Sequence, residues 1–242
     1  MGEAKRRMTA RMAVEELAGS GGSLLSRQIL ERRSVRRTWK TRARRLLDAH
    51  FLAVAAVTYA TERMAAIPGR TSPSVGERLA LSASFIQGIE LCEVAISEGL
   101  YLQAATLLRQ EMETLAAIRE SDKGHRKERK TPNVKHLPQH IAKLYGDLSA
   151  ATHVADQYLI REVLSVRYGK HIHGASLIPI YNEVLSKFYY SVQIALIIML
   201  ACEIQSLFSE MYGAGLDERE DRLIAKSTAI LKEHGSLEPP VI

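Results

Sequence analysis

The sequence predicts an all-α fold, on three observations. Ala and Leu abound while aromatic residues make up only 6% of the chain, a balance that favours helix. Long stretches carry helix-compatible apolar patterns. Gly and Pro fall mainly in short breaks between those stretches.

The elements follow in order. Residues 3–18 read as a helix closed by Gly19 and the Gly-Ser-Gly-Gly-Ser stretch. Ser23 can cap a second helix, which runs without Pro or Gly to Ile67. Residues 68–73, with two Pro and a Gly, form a break. The next helices cover Val75–Glu98 and, after Gly99, Leu100–Arg119. A charged loop containing Gly124 and Pro132 follows. Pro138 suits the first turn of a helix running to Ala155. Residues 159–178 fit either a short β-hairpin with a turn at Tyr168-Gly169-Lys170 or a broken helix and loop. A long apolar helix over 181–212 ends at Gly213. A final amphipathic helix carries acidic residues in its first turn, where the helix dipole favours them. These breaks divide the chain into a basic helical arm, 1–67, and a helical body, 68–242.

The chain has 242 residues, 46% hydrophobic and 25% charged, which excludes wholesale disorder, collagen and a Cys-rich scaffold. Its net charge of +6 is unevenly spread. Residues 1–45 hold 13 Lys+Arg and 4 Glu, a balance of +9; the remaining 20 basic and 23 acidic residues give −3. Such a block suits an anionic partner: RNA, another nucleic acid, a membrane surface or an acidic protein. Cys92 and Cys202 sit in apolar helical patterns and are expected to pack as small hydrophobes. No Cys pair at zinc-site spacing is present, and no metal or cofactor is expected. The charged N-terminus lacks a signal-peptide centre. Ile194–Cys202 gives only nine apolar residues in a row, against about 20 for a membrane span. A reducing cytoplasm is the expected compartment.

Two constellations can carry chemistry. Arg32, Arg36, Lys40 and Arg44 recur every four residues and share a helix face, with Arg33 and Arg37 beside them. A guanidinium row of this kind can neutralise phosphates without reading bases. The second constellation spans two helices. Arg109 and Glu113 are one turn apart, and Tyr145, Ser149 and His153 form a stripe at spacings of four. An imidazole in such a stripe can move protons near neutrality. The same residues can equally form a hydrogen-bond network that fixes helix register. No P-loop, dinucleotide fingerprint, zincin or nucleophile-elbow motif occurs.

Three stretches carry a resemblance. SFIQGIELCEVAISEGLYLQAATLLRQEMETLAAIRE reads as two helices around a Gly with an A-x-x-L-L-R-x-x-x-E core. KLYGDLSAATH gives Y-x-x-L-S-x-x-x-H, and a long apolar helix closes the unit. Over roughly residues 80–210 this resembles the HEPN-like helical proteins of bacteria, some associated with abortive infection and phage defence. The resemblance implies an antiparallel helical bundle, often dimeric, with polar residues facing a cleft. It would align Arg109 and Glu113 with one motif helix and Tyr145, Ser149 and His153 with the next.

HEPN ribonucleases place a His four to six residues after an Arg. Here Asp147, Leu148 and Ser149 occupy the positions where that Arg would precede His153. The spacing recurs from Arg44 and Arg45 to His50, Arg119 to His125 and Arg167 to His173, while Arg129 precedes His136 by seven. In a chain with 22 Arg and 8 His, composition alone produces such matches. The expectation is therefore an RNA-binding, ribonuclease-like protein. His153 would be its acid/base, Arg109 its charge stabiliser and Glu113 the residue orienting Arg109, with Tyr145 and Ser149 orienting His153 or the ligand. The alternative is a non-catalytic interaction module whose basic helix docks on a protein, encoded nearby, or on a membrane.

Overall fold

The computed structural model describes residues 2–153, 157–168 and 171–238. The chain runs α1 (Gly2–Arg42), α2 (Arg44–Met64), α3 (Pro73–Ser97) and α4 (Tyr101–Asp122), then a 3-10 turn at Val134–His136. There follow α5 (Gln139–Ala142), α6 (Leu144–Thr152), α7 (Gln157–Leu164), β1 (Ser165–Tyr168), β2 (His171–Ala175), α8 (Glu183–Tyr212) and α9 (Glu218–His234). The all-α reading holds, and the 159–178 region contains an antiparallel hairpin, β1 on β2, with an irregular register between Val166 and Arg167.

α8 is the hub, packed against α2, α3, α4 and α9. Tyr190, Ile194, Leu196, Ile197, Leu200 and Ile204 are buried along it, while Ala195, Ile198 and Met199 are only partly covered. α3 and α8 are long and apolar enough to cross a membrane by length and composition alone, and both supply buried residues to the same core. Local signals set the ends. Ser72 caps α3 by accepting from the Val75 N–H, and Asn182 does the same for Leu185 at α8. Gly213 ends α8 in the left-handed conformation (φ 71°). Gly99 turns α3 into α4 at φ 78°, where a Cβ would also crowd the Ile180 carbonyl at 3.1 Å. Asp217 and Glu220 form a capping box on α9, within its expected acidic first turn.

Ion pairs staple the helices. Arg78, almost wholly buried on α3, holds Asp122 of α4 and Glu210 of α8. Arg63 of α2 donates to Glu220 of α9 at 2.7 Å.

Several expectations are corrected. Gly19 to Ser23 do not break the chain: α1 continues through them. A helical Gly costs about 1 kcal/mol rather than forbidding helix, and the Ala-, Leu- and Arg-rich flanks propagate across it. The break falls instead at Ala43 (φ −114°, ψ 27°), a position without Gly or Pro. There the chain leaves the α3 and α8 contacts of α1 for the α9 and α8 contacts of α2. Nor does residue 67 separate an arm from a body. Trp39, Leu46, Ala53, Val57 and Met64 belong to the same buried cluster as α8. The helix expected over 138–155 is interrupted at Lys143, between α5 and α6. Of the two cysteines, Cys92 is buried and Cys202 is exposed.

Candidate functional site

The Arg109 and Tyr145–His153 groups do converge. α4 buries Leu108 and Met112 and turns Arg109 and Glu113, one turn apart, toward the edge of its contact with α6. α6 buries Leu144, Leu148 and Ala151 and presents Tyr145 beside them. Arg109 Nε donates to Glu113 Oε1 at 3.0 Å. The Tyr145 hydroxyl donates to the same oxygen at 2.6 Å. Arg109 Nη1 donates to His153 Nε2 at 3.2 Å. The guanidinium carbon lies 5.6 Å from the Tyr145 ring centroid, within cation–π range.

This geometry assigns protons. Arg has only donors, so the contact with His153 uses the Nε2 lone pair and leaves the ring proton on Nδ1. Burial, then the Glu113 carboxylate, pushes the Tyr145 phenol up, so it remains an O–H donor. The hydrogen bond it donates to Glu113 pushes Arg109 up, so its charge is fixed. Arg109 and Glu113 side chains are each 22% exposed and His153 is exposed. An incoming anion can therefore take the guanidinium and release the imidazole lone pair. Ser149 does not join by its side chain. Its hydroxyl makes no hydrogen bond among the described residues, and its carbonyl accepts the His153 N–H at 3.0 Å. Tyr145 orients Glu113 rather than His153.

The other Arg-to-His spacings separate in space. His50 is 4% exposed, and burial pushes it down to about 4, while Arg44 and Arg45 are exposed. Arg119 is held by Glu203 at 2.7 Å and by the His136 carbonyl at 2.9 Å. Arg129 stands in solvent. The side chains of Arg167 and His173 lie outside the described residues.

The basic row on α1 splits into two faces. Arg36 Nη2 donates to Glu93 at 2.8 Å and Arg36 Nη1 to Glu98 at 3.5 Å, while Arg32 Nε lies 3.6 Å from Glu98. These two arginines, with Val35 and Trp39 buried between them, face α3 and its carboxylates. That face repeats at 32, 35, 36 and 39. The adjoining face of α1 holds Arg33, Arg37 and Lys40, exposed and without an ion pair among the described residues, although Lys40 is close enough to Glu93 to offset part of the upward push that burial gives its carboxyl. Arg44, also exposed, follows beyond the break at the start of α2. Spacings of four and three keep Arg33, Arg37 and Lys40 on one stripe as far as the break at Ala43. So the outward row contains Arg33 and Arg37, and Arg32 and Arg36 are committed inward.

Two further groups carry no sequence motif. Glu111 is buried among α3, α4 and α8. Gln193 Nε2 reaches its Oε1 at 3.5 Å, the Cys92 thiol lies beside the carboxyl, and its Oε2 has no hydrogen-bond partner among the described residues. Burial pushes Glu111 up to about 8. Arg42, Arg45, Lys187 and His234 are gathered at one end of α1 by the break at Ala43; only the fold brings them together. No family model, curated protein or solved structure matches this chain.

Proposed function

We propose that this is an HEPN-like protein that binds RNA or another anionic polymer along the outward face of α1, as a ribonuclease-like effector in phage defence or a stress response in the cytoplasm. The observation that carries the reading is the row Arg33, Arg37, Lys40 and Arg44, exposed and without an ion pair among the described residues, set against a balance of −3 over residues 46–242. Three cations on one helix stripe, with Arg44 just beyond the break, match successive phosphates and read no bases.

The polar cluster supplies the chemistry in this reading. The Arg that is missing in sequence ahead of His153 is replaced in space by Arg109, 3.2 Å from the imidazole. A ribose 2′-hydroxyl attacking its own phosphorus would give its proton to His153 Nε2 while Arg109 holds the negative charge that builds on the phosphoryl oxygens; the P–O5′ bond then breaks, leaving a 2′,3′-cyclic phosphate, and the departing 5′-oxygen takes a proton from water. Glu113 and Tyr145 fix the guanidinium. The family resemblance adds a homodimer, which light scattering measures directly.

The test pairs binding with cleavage. On a fluorescent single-stranded RNA, R33Q/R37Q should weaken binding at least tenfold, two charge-assisted contacts being removed. H153A and R109A should bind like wild type and lose cleavage. RNA binding equal in wild type and R33Q/R37Q would overturn the polymer reading. Cleavage that survives H153A would remove the cluster from it. The interaction-module reading draws on a separate observation: Leu25 and Leu30, each 61% exposed, stand beside the basic stripe. It predicts capture by anionic vesicles or an acidic protein in place of RNA.

A further inference from the structure

The break at Ala43 opens a pocket of about 350 Å³ between α1 and α2. Three distant parts of the chain wall it: residues 41–46, the entry to α8 from Tyr181 to Lys187, and His234 at the end of α9. Its charge is one-sided. Arg42, Arg44, Arg45 and Lys187 line it against a single carboxylate, Glu183.

The partners of these cations can be followed one by one. Arg45 lies 3.7 Å from Asp48, and its Nε donates to His234 Nε2 at 3.4 Å. His234 also lies 3.4 Å from Glu233. Arg42, Arg44 and Lys187 are exposed and make no ion pair among the described residues. The surplus charge therefore sits on the α1–α2 junction and the second turn of α8.

Two independent features call for an acceptor here. The Tyr181 hydroxyl is withdrawn from water and has no hydrogen-bond partner among the described residues. Burial is the main cause that pushes its phenol up to about 12, so it stays an O–H donor at neutral pH. A buried donor without a partner is costly and is ordinarily satisfied by something. In addition, α2 starts here with no side-chain cap and no acidic residue in its first turn. Its leading N–H groups lack intrahelical acceptors and carry the positive end of the helix dipole.

We propose that this pocket binds a phosphate monoester through Arg42, Arg44 and Lys187, and that the Tyr181 ring turns to donate its hydroxyl to the bound group. A monoester carries a charge of about −1.5 to −2 near neutrality and several acceptor oxygens, matching three free cations and one unmet donor. The volume lies at the small end of ligand pockets, which span about 300–1,000 Å³, and admits a phosphate with part of what it esterifies. The pocket sits at the Arg44 end of the α1 stripe. Its phosphate can therefore come from the 5′ end of a bound strand or from a free mononucleotide. The proposal does not depend on polymer binding by the rest of α1.

Trp39, the single tryptophan of the chain, lines the pocket and reports on it. Inorganic phosphate is titrated into the full chain at constant ionic strength while Trp39 fluorescence is followed. A saturable change is expected. R42Q, K187Q and Y181F should each weaken it, by about tenfold for the charge changes. K226Q, on the exposed side of α9, removes a charge elsewhere and should leave it unaltered. No saturable response, or one that survives both R42Q and K187Q, overturns the proposal. Two RNAs of one sequence then separate the sources. Tighter binding of the 5′-phosphorylated strand than of the 5′-hydroxyl strand, abolished by K187Q, assigns the strand end. Equal binding of both strands alongside saturable phosphate assigns a free phosphate or mononucleotide. Phosphate binding that persists while wild type fails to bind RNA leaves the pocket standing and removes the polymer reading alone.

Discussion

Glu111 and His50 are ionisable groups that the fold buries, and they make opposite claims about pH. Glu111, raised from 4.5 to about 8, keeps a proton in the folded state that the unfolded chain releases above 4.5. Stability therefore falls as pH rises from 4.5 to about 8, by at most about 1.4 kcal/mol per unit. His50, lowered from 6.5 to about 4, stays neutral in the fold while the unfolded chain takes up a proton below 6.5. Stability therefore falls as pH drops from 6.5 toward 4. The two slopes oppose each other between 4.5 and 6.5, and above 6.5 Glu111 acts without that counterweight. Thermal melts should show E111Q holding its midpoint from pH 6.5 to 8 while wild type declines. Parallel curves for the two would remove Glu111 from the account. Glu113 works at smaller scale. Its carboxylate is partly exposed and satisfies two donors, so E113A should cost about 1 kcal/mol of stability. Its larger effect should be on Arg109, whose guanidinium loses the bond that aims it.

At the scale of elements, α1 is two things in one helix. Residues 17–23 are exposed on every side, while Val35 and Trp39 are buried. Deleting residues 1–22 should leave the melting temperature nearly unchanged. Trp39→Ala should cost about 3–5 kcal/mol, since Trp39 packs on Tyr190 with ring centroids 4.7 Å apart. Deletion through residue 45 should therefore unfold part of the core, and urea denaturation of the two truncations distinguishes these outcomes. The same helix marks what the sequence makes legible. Elements with local punctuation were readable. The breaks at Ser72-Pro73, Gly99 and Gly213 coincide with observed ends, because those conformations are encoded where they occur. The break at Ala43 was not readable, since tertiary contacts impose it on a residue that favours helix. The convergence of Arg109, Glu113, Tyr145 and His153 followed from helical spacing beside apolar seams. The inward commitment of Arg32 and Arg36 did not, because their partners Glu93 and Glu98 lie on another helix. The pocket of Arg42, Lys187 and His234 joins residues far apart in sequence with no motif to announce them.

For the whole molecule, the decisive property is where the charge lies. The balance of +9 over residues 1–45 against −3 elsewhere makes the α1 end of the bundle the cationic pole. α8 buries most of its apolar surface within the bundle, so the fold does not need a second copy for stability. Light scattering that gives a dimer would add to the HEPN-like reading, and a monomer would confine it to the bundle. The central claim is that the outward α1 stripe meets a chain of phosphates, and the salt dependence of RNA binding tests it most directly. Four phosphate contacts predict a slope of log K against log salt of about −3, and replacing Arg33 or Arg37 with Ala should reduce its magnitude by somewhat under one unit, equally for unrelated RNA sequences. A flat salt dependence, or a steep one that is unmoved by R33A and R37A, contradicts the account.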